Sequence, residues 1–420
     1  MSLTGTAFLY TLIVLSVVAV VLPLALWSRL RGPRALRALA RLLMVVFAQG
    51  TAVALVFVLV NNQNNLYDNW ADLLGTGDHV QQAANLGADG TGGIALKRLP
   101  KVRQHFTDVS GPGMRGVRET QLKGRISGVD AEVYVWLPPQ YGEPAYRHHR
   151  FPAVELLSGY PGSAKAWFGS LHAANQLRPL MRSGKVAPFI LVAPRMNLLA
   201  GVDTGCANIT GTVNADTWLS VDVPKMVDDN FRAQAGPAGW AVAGYSAGGH
   251  CATKLAVAHP DRYRAAVSMS GYNDPIGERN SLAAETPALR RANNPYVLLR
   301  GARTPPAVAL YESGQPGDGY EAGVGLEQIA KAPTTVHVVY IPKSAGGHNM
   351  ALWQPQVVPA FRWLTEEMGL LHGRAGAGGV PRTVSATTPA ATPHARSSAG
   401  SRPAELASGT ASPATAARRP

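Results

Sequence analysis

The stretch Trp240-Ala-Val-Ala-Gly244-Tyr-Ser246-Ala-Gly248-Gly-His250 decides the fold. Its first half, up to Gly244, is an apolar run that predicts a buried strand, and the residues that follow the turn predict a helix. The join contains the only G-x-S-x-G pattern in the chain, with Ser246 at its centre. Small neighbours let a serine occupy a strained turn between strand and helix, exposed above the sheet. We therefore expect Ser246 to be a nucleophile, with an ordinary glycine-rich turn as the alternative.

Strand and helix signals alternate on both sides of this elbow. The predicted strands are apolar or β-branched runs at 131–137, 153–157, 189–193, 240–244, 265–269, 307–311 and 336–341. Helical patterns fall between them, at 167–182, 220–233, 248–258 and 323–331. Such alternation is typical of an α/β protein with a mainly parallel sheet, whose sites form beyond the carboxyl ends of the strands. We expect this catalytic domain to span residues 121–372.

A serine hydroxyl is a weak nucleophile and needs a base that is itself held by an acid. In folds with such an elbow the acid and then the histidine follow the serine along the chain. His348 lies on a glycine-rich loop after the last predicted strand, so we expect it to be the base. The acid is either Asp318, in a glycine-rich loop, or Glu312, at the tip of the preceding strand. Loop position and chain order favour Asp318.

The developing oxyanion needs two backbone N–H groups aimed at it in advance. We expect Ala247, the residue after the nucleophile, to supply one of them. The second is expected from Tyr160, in the loop Ser158-Gly-Tyr160-Pro-Gly-Ser163 that follows the strand 153–157. The glycines and the proline allow the backbone of this loop to turn sharply. Any turn between a strand and a helix could have this composition. The assignment of Tyr160 to the oxyanion hole therefore rests on the position of its loop relative to the elbow.

The formal charge of +13 would suggest a nucleic-acid partner if the body carried it. The charge lies elsewhere, because residues 1–60 hold five Arg and no acid, and residues 373–420 hold six Arg and one Glu. About +3 therefore remains for residues 61–372. The body has no basic stripe, and we expect no nucleic-acid partner.

Residues 7–26 and 42–60 are two apolar runs, each long enough to cross a hydrocarbon core of about 30 Å. A signal peptide would need a charged start, and residues 1–7 carry no charge. All five Arg lie between the runs, which places that loop in the cytoplasm and the body outside. We therefore expect a two-span membrane anchor at 1–60, with two buried helices of a soluble core as the alternative. The sequence argues against a transporter or channel subunit, because the two spans carry no ionisable residue within the membrane.

The segments that flank the catalytic domain differ from it in composition. Residues 61–120 are rich in Asn, Gly and Asp, and we expect an extracytoplasmic spacer that lifts the body off the membrane. Residues 373–420 are Ala, Ser, Thr, Pro and Arg with almost no large apolar side chain. Such a composition cannot bury enough surface to offset chain entropy, so we expect a disordered tail.

The chain has two cysteines, Cys206 and Cys251, which excludes a disulfide-dense scaffold and a cysteine-based zinc site. Both would face the oxidising side of the membrane. Cys251 falls early in the helix after the elbow, and Cys206 falls in the loop 201–211. We predict a disulfide between them that pins this loop beside the site, with two buried free thiols as the alternative.

Several segments resemble the esterase D / antigen 85 branch of the α/β hydrolases. They are Leu137–Tyr141, Leu156–Gly162, Gly244–Gly249, His259–Tyr272 and Gly347–Trp353. The resemblance covers about residues 124–368 and implies an α/β-hydrolase fold with Ser246, Asp318 and His348 as a triad of an esterase or acyltransferase. Membrane-anchored members of this kind are typical of actinobacteria, with which the excess of Arg over Lys is compatible. The loop Ser158-Gly-Tyr160 departs from the His-Gly or Asp-Gly of many relatives, and the acid loop is longer.

These observations predict a membrane-anchored extracytoplasmic serine hydrolase that cleaves carboxylic esters of a small molecule or lipid through an acyl-enzyme. Acyl transfer to an envelope sugar or lipid hydroxyl is one alternative, and a catalytically inactive binding module on the same fold is another. No metal or organic cofactor is implied, because the H-E-x-x-H, Walker A and G-x-G-x-x-G patterns are absent. Trp167, Tyr245 and Trp353 are candidates for lining an acyl site, although aromatic residues near such an elbow are as often core.

Overall fold

The structure is a computed structural model that describes residues 2–77 and 79–370. Its α-helices are α1 (Thr6–Leu26), α2 (Arg34–Asn64), α3 (Trp70–Leu74), α4 (Ala166–Gly169), α5 (Ala173–Arg182), α6 (Ala215–Thr217), α7 (Val223–Asn230), α8 (Ala247–Ala258), α9 (Pro287–Ala292), α10 (Pro295–Gly301), α11 (Tyr320–Ile329), α12 (Met350–Trp353) and α13 (Val357–Glu367). Its strands are β1 (Thr107–Asp108), β2 (Val117–Lys123), β3 (Asp130–Trp136), β4 (Ala153–Leu157), β5 (Ile190–Pro194), β6 (Asn208–Ile209), β7 (Val213–Asn214), β8 (Trp240–Tyr245), β9 (Ala265–Met269), β10 (Ala309–Gly314) and β11 (Thr335–Tyr340). The tail predicted at 373–420 lies outside the described residues.

A mixed sheet organises the body. In the described part of the chain it has nine strands in the order β1-β2-β3-β5-β4-β8-β9-β10-β11. The run from β5 to β11 is parallel, and β1, β2 and β3 add an antiparallel edge. Strands β4, β8 and β9 are buried along their whole length, which explains their continuous apolar sequences. The nucleophile elbow follows β8, at the centre of the parallel part.

The two faces of the sheet carry separate hydrophobic cores because side chains alternate along each strand. On β8, Ala241, Ala243 and Tyr245 belong to one core, which helices α5 and α13 cover. Trp240 and Val242 belong to the other core, which α7, α8 and α10 cover. Helices therefore protect both faces of a mainly parallel sheet, which is the α/β arrangement that the sequence predicts.

Two apolar helices precede the body. Helices α1 and α2 form a hairpin, and both are long and apolar enough to cross a membrane by length and composition. Only 11% of the most apolar window of each is buried, whereas a core helix of a soluble protein is mostly buried. The connecting turn is held by Arg41, which donates to the Trp27 carbonyl and lies over its ring.

Two of the differences between the predicted and the observed elements fall before β5. The helix predicted at 167–182 is two helices, α4 and α5, because His172 adopts a left-handed conformation between them (φ 52°). The segment 61–120 is not a free spacer: Val80 bridges to Val129, and β2 pairs along its length with β3. Polar side chains on β2 face outward and obscure its strand pattern in the sequence.

Candidate active site

Ser246 occupies a tight turn between β8 and α8. Its backbone has φ 56° and ψ −126°, a region that non-glycine residues rarely adopt. The neighbouring chain approaches so closely that a Cβ on Gly244 would lie 2.0 Å from the Gly248 carbonyl oxygen. A Cβ on Gly248 would lie 2.3 Å from the Leu157 carbonyl oxygen. The spacing of small residues around Ser246 is therefore a steric requirement of the turn, and Ser246 itself begins the helix.

The loop after β10 presents Asp318. Gln315 and Asp318 exchange backbone hydrogen bonds of 3.0 and 2.8 Å, which close a tight turn. The Gly317 N–H donates to the Glu321 carboxylate at 2.9 Å, which links this turn to the first turn of α11. These contacts hold Asp318 at the carboxyl end of the sheet, on the same side as the elbow.

His348 joins the two loops. Its Nε2 lies 2.8 Å from the Ser246 Oγ, and its Nδ1 lies 2.8 Å from the Asp318 Oδ1. The Trp353 ring packs against the imidazole edge-on, with 4.8 Å between centroids. The next residue, Asn349, caps α12 by accepting from the Ala351 N–H, which fixes the end of the histidine loop. The structure thus brings together the three side chains that the sequence suggests as nucleophile, base and acid.

Glu312, the alternative acid, does not contact His348. It lies within β10, where it is 4% exposed, and it accepts a 2.7 Å hydrogen bond from the Thr253 hydroxyl of α8. Burial raises the pKa of Glu312 to about 7, although hydrogen bonds from Thr253 and Ser268 act in the opposite direction. Its carboxyl group packs beneath the nucleophile helix and away from the imidazole.

The loop that carries Tyr160 lies against the elbow. A Cβ on Gly159 would lie 3.1 Å from the Ser246 Cβ, which is tighter than an ordinary van der Waals contact. Ala247 is the first residue of α8, where backbone N–H groups have no partner within the helix. Within the described residues, neither the Tyr160 nor the Ala247 N–H donates to a backbone carbonyl. Both groups predicted for an oxyanion hole are therefore available next to Ser246.

The three aromatic residues predicted to line an acyl site are core residues. Trp167, Tyr245 and Trp353 are 1%, 2% and 5% exposed. Tyr245 stacks on Trp353 at 4.6 Å, and the Trp167 indole N–H donates to the Leu157 carbonyl. Their bulk fills the layer beneath the elbow because the strands there present small residues. They support the site from below, and the expectation that they line it is corrected.

A disulfide joins Cys206 to Cys251. Cys251 lies on α8, five residues after Ser246. The buried Lys254 ammonium adds a second link, because it donates to the Cys206 carbonyl at 2.8 Å and pairs with Asp216. The pairing predicted from the sequence thus holds the loop 201–211 against the nucleophile helix.

The sequence did not indicate how α2 docks on the body. Asn65 ends α2 in a left-handed conformation, and its carbonyl accepts from the Ser163 N–H at 2.9 Å. Its side-chain amide donates to the Ser170 hydroxyl at 2.7 Å. Asp68, a little further along, accepts from the Ser163 hydroxyl at 2.6 Å. The Asn-rich run after the second apolar stretch is the signal that could have suggested such a cap, since asparagine tolerates the left-handed region.

Comparisons with known proteins agree with this architecture. Residues 125–305 match the Esterase family, described as "Putative esterase". An uncharacterized protein of Corynebacterium glutamicum is 26% identical over 262 residues, which cover 58% of this chain and 59% of that protein. The chain thus spans about three fifths of the length of this curated relative.

Solved structures to which this chain is similar include a ferulic acid esterase, with a TM-score of 0.49 and 19% identity over 60% of this chain and 98% of that one. An S-formylglutathione hydrolase from Agrobacterium tumefaciens has a TM-score of 0.48 and 14% identity, over 64% of this chain and 100% of that one.

The match to this family model is confined to residues 125–305, which is less than half of the chain. The matched segment contains Tyr160, Ser246 and Ala247, and it ends before Asp318 and His348.

Proposed function

We propose that this protein is a membrane-anchored extracytoplasmic serine esterase that cleaves carboxylic esters through an acyl-enzyme. The observation that carries the proposal is the continuous chain of hydrogen bonds from Ser246 Oγ to His348 to Asp318. Its position at the carboxyl end of the central strands, within a domain that matches an esterase family, supports it further. Helices α1 and α2 support the anchor by their length, composition and exposed apolar surface.

The proposed reaction assigns a step to each group. Ser246 Oγ attacks the ester carbonyl carbon as His348 Nε2 takes its proton, while Asp318 accepts from Nδ1–H and stabilises the imidazolium. The N–H groups of Tyr160 and Ala247 hold the oxyanion. His348 then returns the proton to the departing alcohol oxygen. A water molecule, deprotonated by His348, attacks the acyl-enzyme, and the acid leaves as Ser246 regains its proton.

Covalent labelling with a fluorophosphonate probe tests this proposal directly. The full-length protein in membranes is compared with Ser246→Ala and with Ser183→Ala, a control at an exposed serine that ends α5. We expect labelling and p-nitrophenyl ester hydrolysis to vanish with Ser246→Ala and to persist with Ser183→Ala.

A second pair of variants tests the base. His348→Gln is expected to lose labelling, and His337→Gln, at an exposed histidine of β11, is expected to retain it. A folded wild-type protein that is neither labelled nor active would overturn the proposal and favour a binding module on this fold.

A further inference from the structure

A cavity of about 410 Å³ lies beside the candidate active site. Three segments form its wall: the chain between Leu66 and His79, the loop Tyr160–Ser163, and the loop from Arg195 to Gly201. The first of these leaves the end of α2 directly, and the second carries the Tyr160 N–H. The cavity therefore connects the exit of the anchor with the oxyanion loop, and we name it the juxtamembrane cavity.

Aromatic contacts place this cavity at the outer end of the two apolar helices. The Trp70 ring packs edge-on against Phe8, near the start of α1, with 5.4 Å between centroids. Tyr67 lies 6.5 Å from Phe57 in the last turns of α2. Tryptophan and tyrosine prefer the membrane–water interface, where one end of the ring is apolar and the other is wet. With α1 and α2 across a membrane, the cavity opens at the level of the lipid head groups.

The lining of the cavity is amphiphilic. Leu66, Leu73 and Leu74 contribute apolar surface, and Leu74 is 69% exposed at the rim. Asp68, Asp72, Arg195 and Asn197 contribute polar groups on the side of the body. An ester lipid has the same division, since its acyl chain is apolar and its head group is polar.

The charges of the polar side favour an uncharged head group. Arg195 is paired with Glu132 at 2.7 Å and with Asp72 at 3.1 Å, and Lys165 is paired with Asp68 at 3.3 Å. Burial opposes ionisation of Asp72, but hydrogen bonds from His79 and Arg195 and the charge of Arg195 lower its pKa to about 2. Three acids, Asp68, Asp72 and Glu132, accompany two cations here, so the polar side has no cation in excess to hold a phosphate. Burial raises the pKa of Asp68, and its carboxyl oxygens can accept from a hydroxyl group in either protonation state.

We infer that the juxtamembrane cavity binds the uncharged, hydroxyl-bearing head group of an ester lipid that enters from the outer leaflet. This inference rests on the proposed esterase function and names the substrate class of the same site. The hydroxyl groups donate to the carboxylates of Asp68 and Asp72, and the ester passes Tyr160 to reach Ser246. The segment after α2 thereby becomes part of the substrate site.

Filling the cavity tests the inference in the full-length protein. Ala200 and Ala71 both line it, so Ala200→Trp and Ala71→Phe are compared with Ala302→Trp at an exposed position outside the lining. The lipid substrate is monooleoylglycerol in vesicles of diether phosphatidylcholine, which has no carboxylic ester bond. The soluble substrate is p-nitrophenyl acetate, which has no head group.

We expect both cavity variants to lower kcat/KM on monooleoylglycerol about tenfold or more. For the cavity variants, turnover of p-nitrophenyl acetate and labelling by the fluorophosphonate probe are expected to stay within about twofold of wild type. For Ala302→Trp, kcat/KM on both substrates is expected to stay within the same range. Melting temperature in detergent shows that each variant is folded. Equal losses on the two substrates in a folded variant, or no loss on the lipid, would overturn the inference.

The charge of the head group is tested with the wild-type protein. Monooleoylglycerol is compared with oleoyl lysophosphatidylglycerol, which has the same acyl chain and an anionic head group. We expect the uncharged lipid to be hydrolysed faster, and equal or faster hydrolysis of the anionic lipid would overturn the head-group assignment. A wild-type protein that cleaves neither p-nitrophenyl acetate nor lipid and takes no probe shows instead that the proposed function has failed.

Discussion

Asp318 and Glu312 lie close together in the chain, but their surroundings suit them to different roles. Asp318 is partly exposed at the end of the sheet and faces the His348 Nδ1, where a carboxylate fixes the tautomer of the ring. Glu312 is enclosed beneath α8, where burial favours the neutral acid. A carboxyl group that resists ionisation cannot stabilise an imidazolium well, so these surroundings favour Asp318 as the acid of the proposed triad.

Substitution of each carboxylate should separate these roles. Asp318→Asn keeps the shape of the side chain but removes the charge that stabilises protonated His348, and we expect kcat to fall about 100-fold or more. Glu312→Gln should keep kcat within about threefold of wild type, because Glu312 touches neither Ser246 nor His348. Ester turnover by the two variants measures the difference. A reversed order of losses would identify Glu312 as the acid.

The raised pKa of Glu312 predicts a pH-dependent cost to stability. Its pKa rises on folding from near 4.5 to about 7, so the folded state holds a proton that the unfolded state releases between these values. Stability that this group contributes at low pH is lost as the pH rises through that window. Glu312→Gln cannot ionise. From pH 5 to pH 8 its unfolding free energy should therefore rise relative to wild type by on the order of 2 kcal/mol.

Melting temperatures at pH 5 and pH 8 check this prediction. Glu285→Gln, at an exposed glutamate, is the matched control, and its melting temperature should follow that of wild type at both values. The comparison is made between variant and wild type because other buried carboxyl groups also titrate in this range: burial raises the pKa of Glu155 to about 8. If the difference in melting temperature between Glu312→Gln and wild type were the same at pH 5 and pH 8, the burial argument would be contradicted.

At the scale of elements, the sequence predicts the parallel strands well because their signal is local. Strands buried on both faces are continuous apolar runs, and the predicted and observed bounds of 153–157 and 265–269 coincide. The positions of Ser246 and His348 follow from the elbow and from chain order. Strand β2 escapes prediction because five of its seven residues are polar or charged and only Val117 and Leu122 are apolar.

Contacts between distant parts of the chain could not be predicted in this way. The bond from the Ser163 hydroxyl to Asp68 spans 95 residues, and the pair of Arg195 with Asp72 spans 123. No periodicity or spacing indicates such pairs, because they depend on how the segment after α2 folds back. The composition of residues 61–120, rich in Asn, Gly and Asp, indicated a spacer because composition does not show such contacts. In the structure, part of this segment packs on the body and lines a cavity.

Docking of α2 on the oxyanion loop predicts an effect of Asn65 on catalysis. Asn65→Gly keeps the left-handed conformation but removes the 2.7 Å hydrogen bond to Ser170. The loop that carries Tyr160 is then less firmly held, and we expect kcat to fall about tenfold with little change in KM. Asn64→Ala, which removes a bond to the Val60 carbonyl within α2, is the control and should leave kcat near wild type.

A double-mutant cycle with Ser170→Ala distinguishes positioning from general destabilisation. The losses in kcat for Asn65→Gly and Ser170→Ala should add only in part, because both variants remove the Asn65–Ser170 hydrogen bond. Ser170→Ala also removes the bond that the Ser170 hydroxyl donates to the Gln63 carbonyl. Additive losses, or the same loss of kcat with Asn64→Ala, would show that Asn65 acts only through the stability of the helix end.

At the scale of the whole molecule, charge and hydrophobicity divide the chain into an anchor and a body. The five Arg of the first 60 residues lie at or beside the turn between α1 and α2, at the end opposite the body. The body follows the other end of α2 and packs against it through Asn65. Positive residues remain on the cytoplasmic side, so the proposed anchor places the body, and the juxtamembrane cavity with it, on the outer side.

This topology can be tested with introduced cysteines, because both native cysteines are joined in a disulfide. Ser28 is exposed in the turn between α1 and α2, and Ser183 is exposed on the body. In intact cells, we expect a membrane-impermeant maleimide to label Ser183→Cys and to leave Ser28→Cys unlabelled until the membrane is permeabilised. Wild-type protein is the control for background labelling. If Ser28→Cys reacts in intact cells and Ser183→Cys does not, the body faces the cytoplasm. The cavity would then open to the inner leaflet, and its substrate would have to be a lipid of that leaflet.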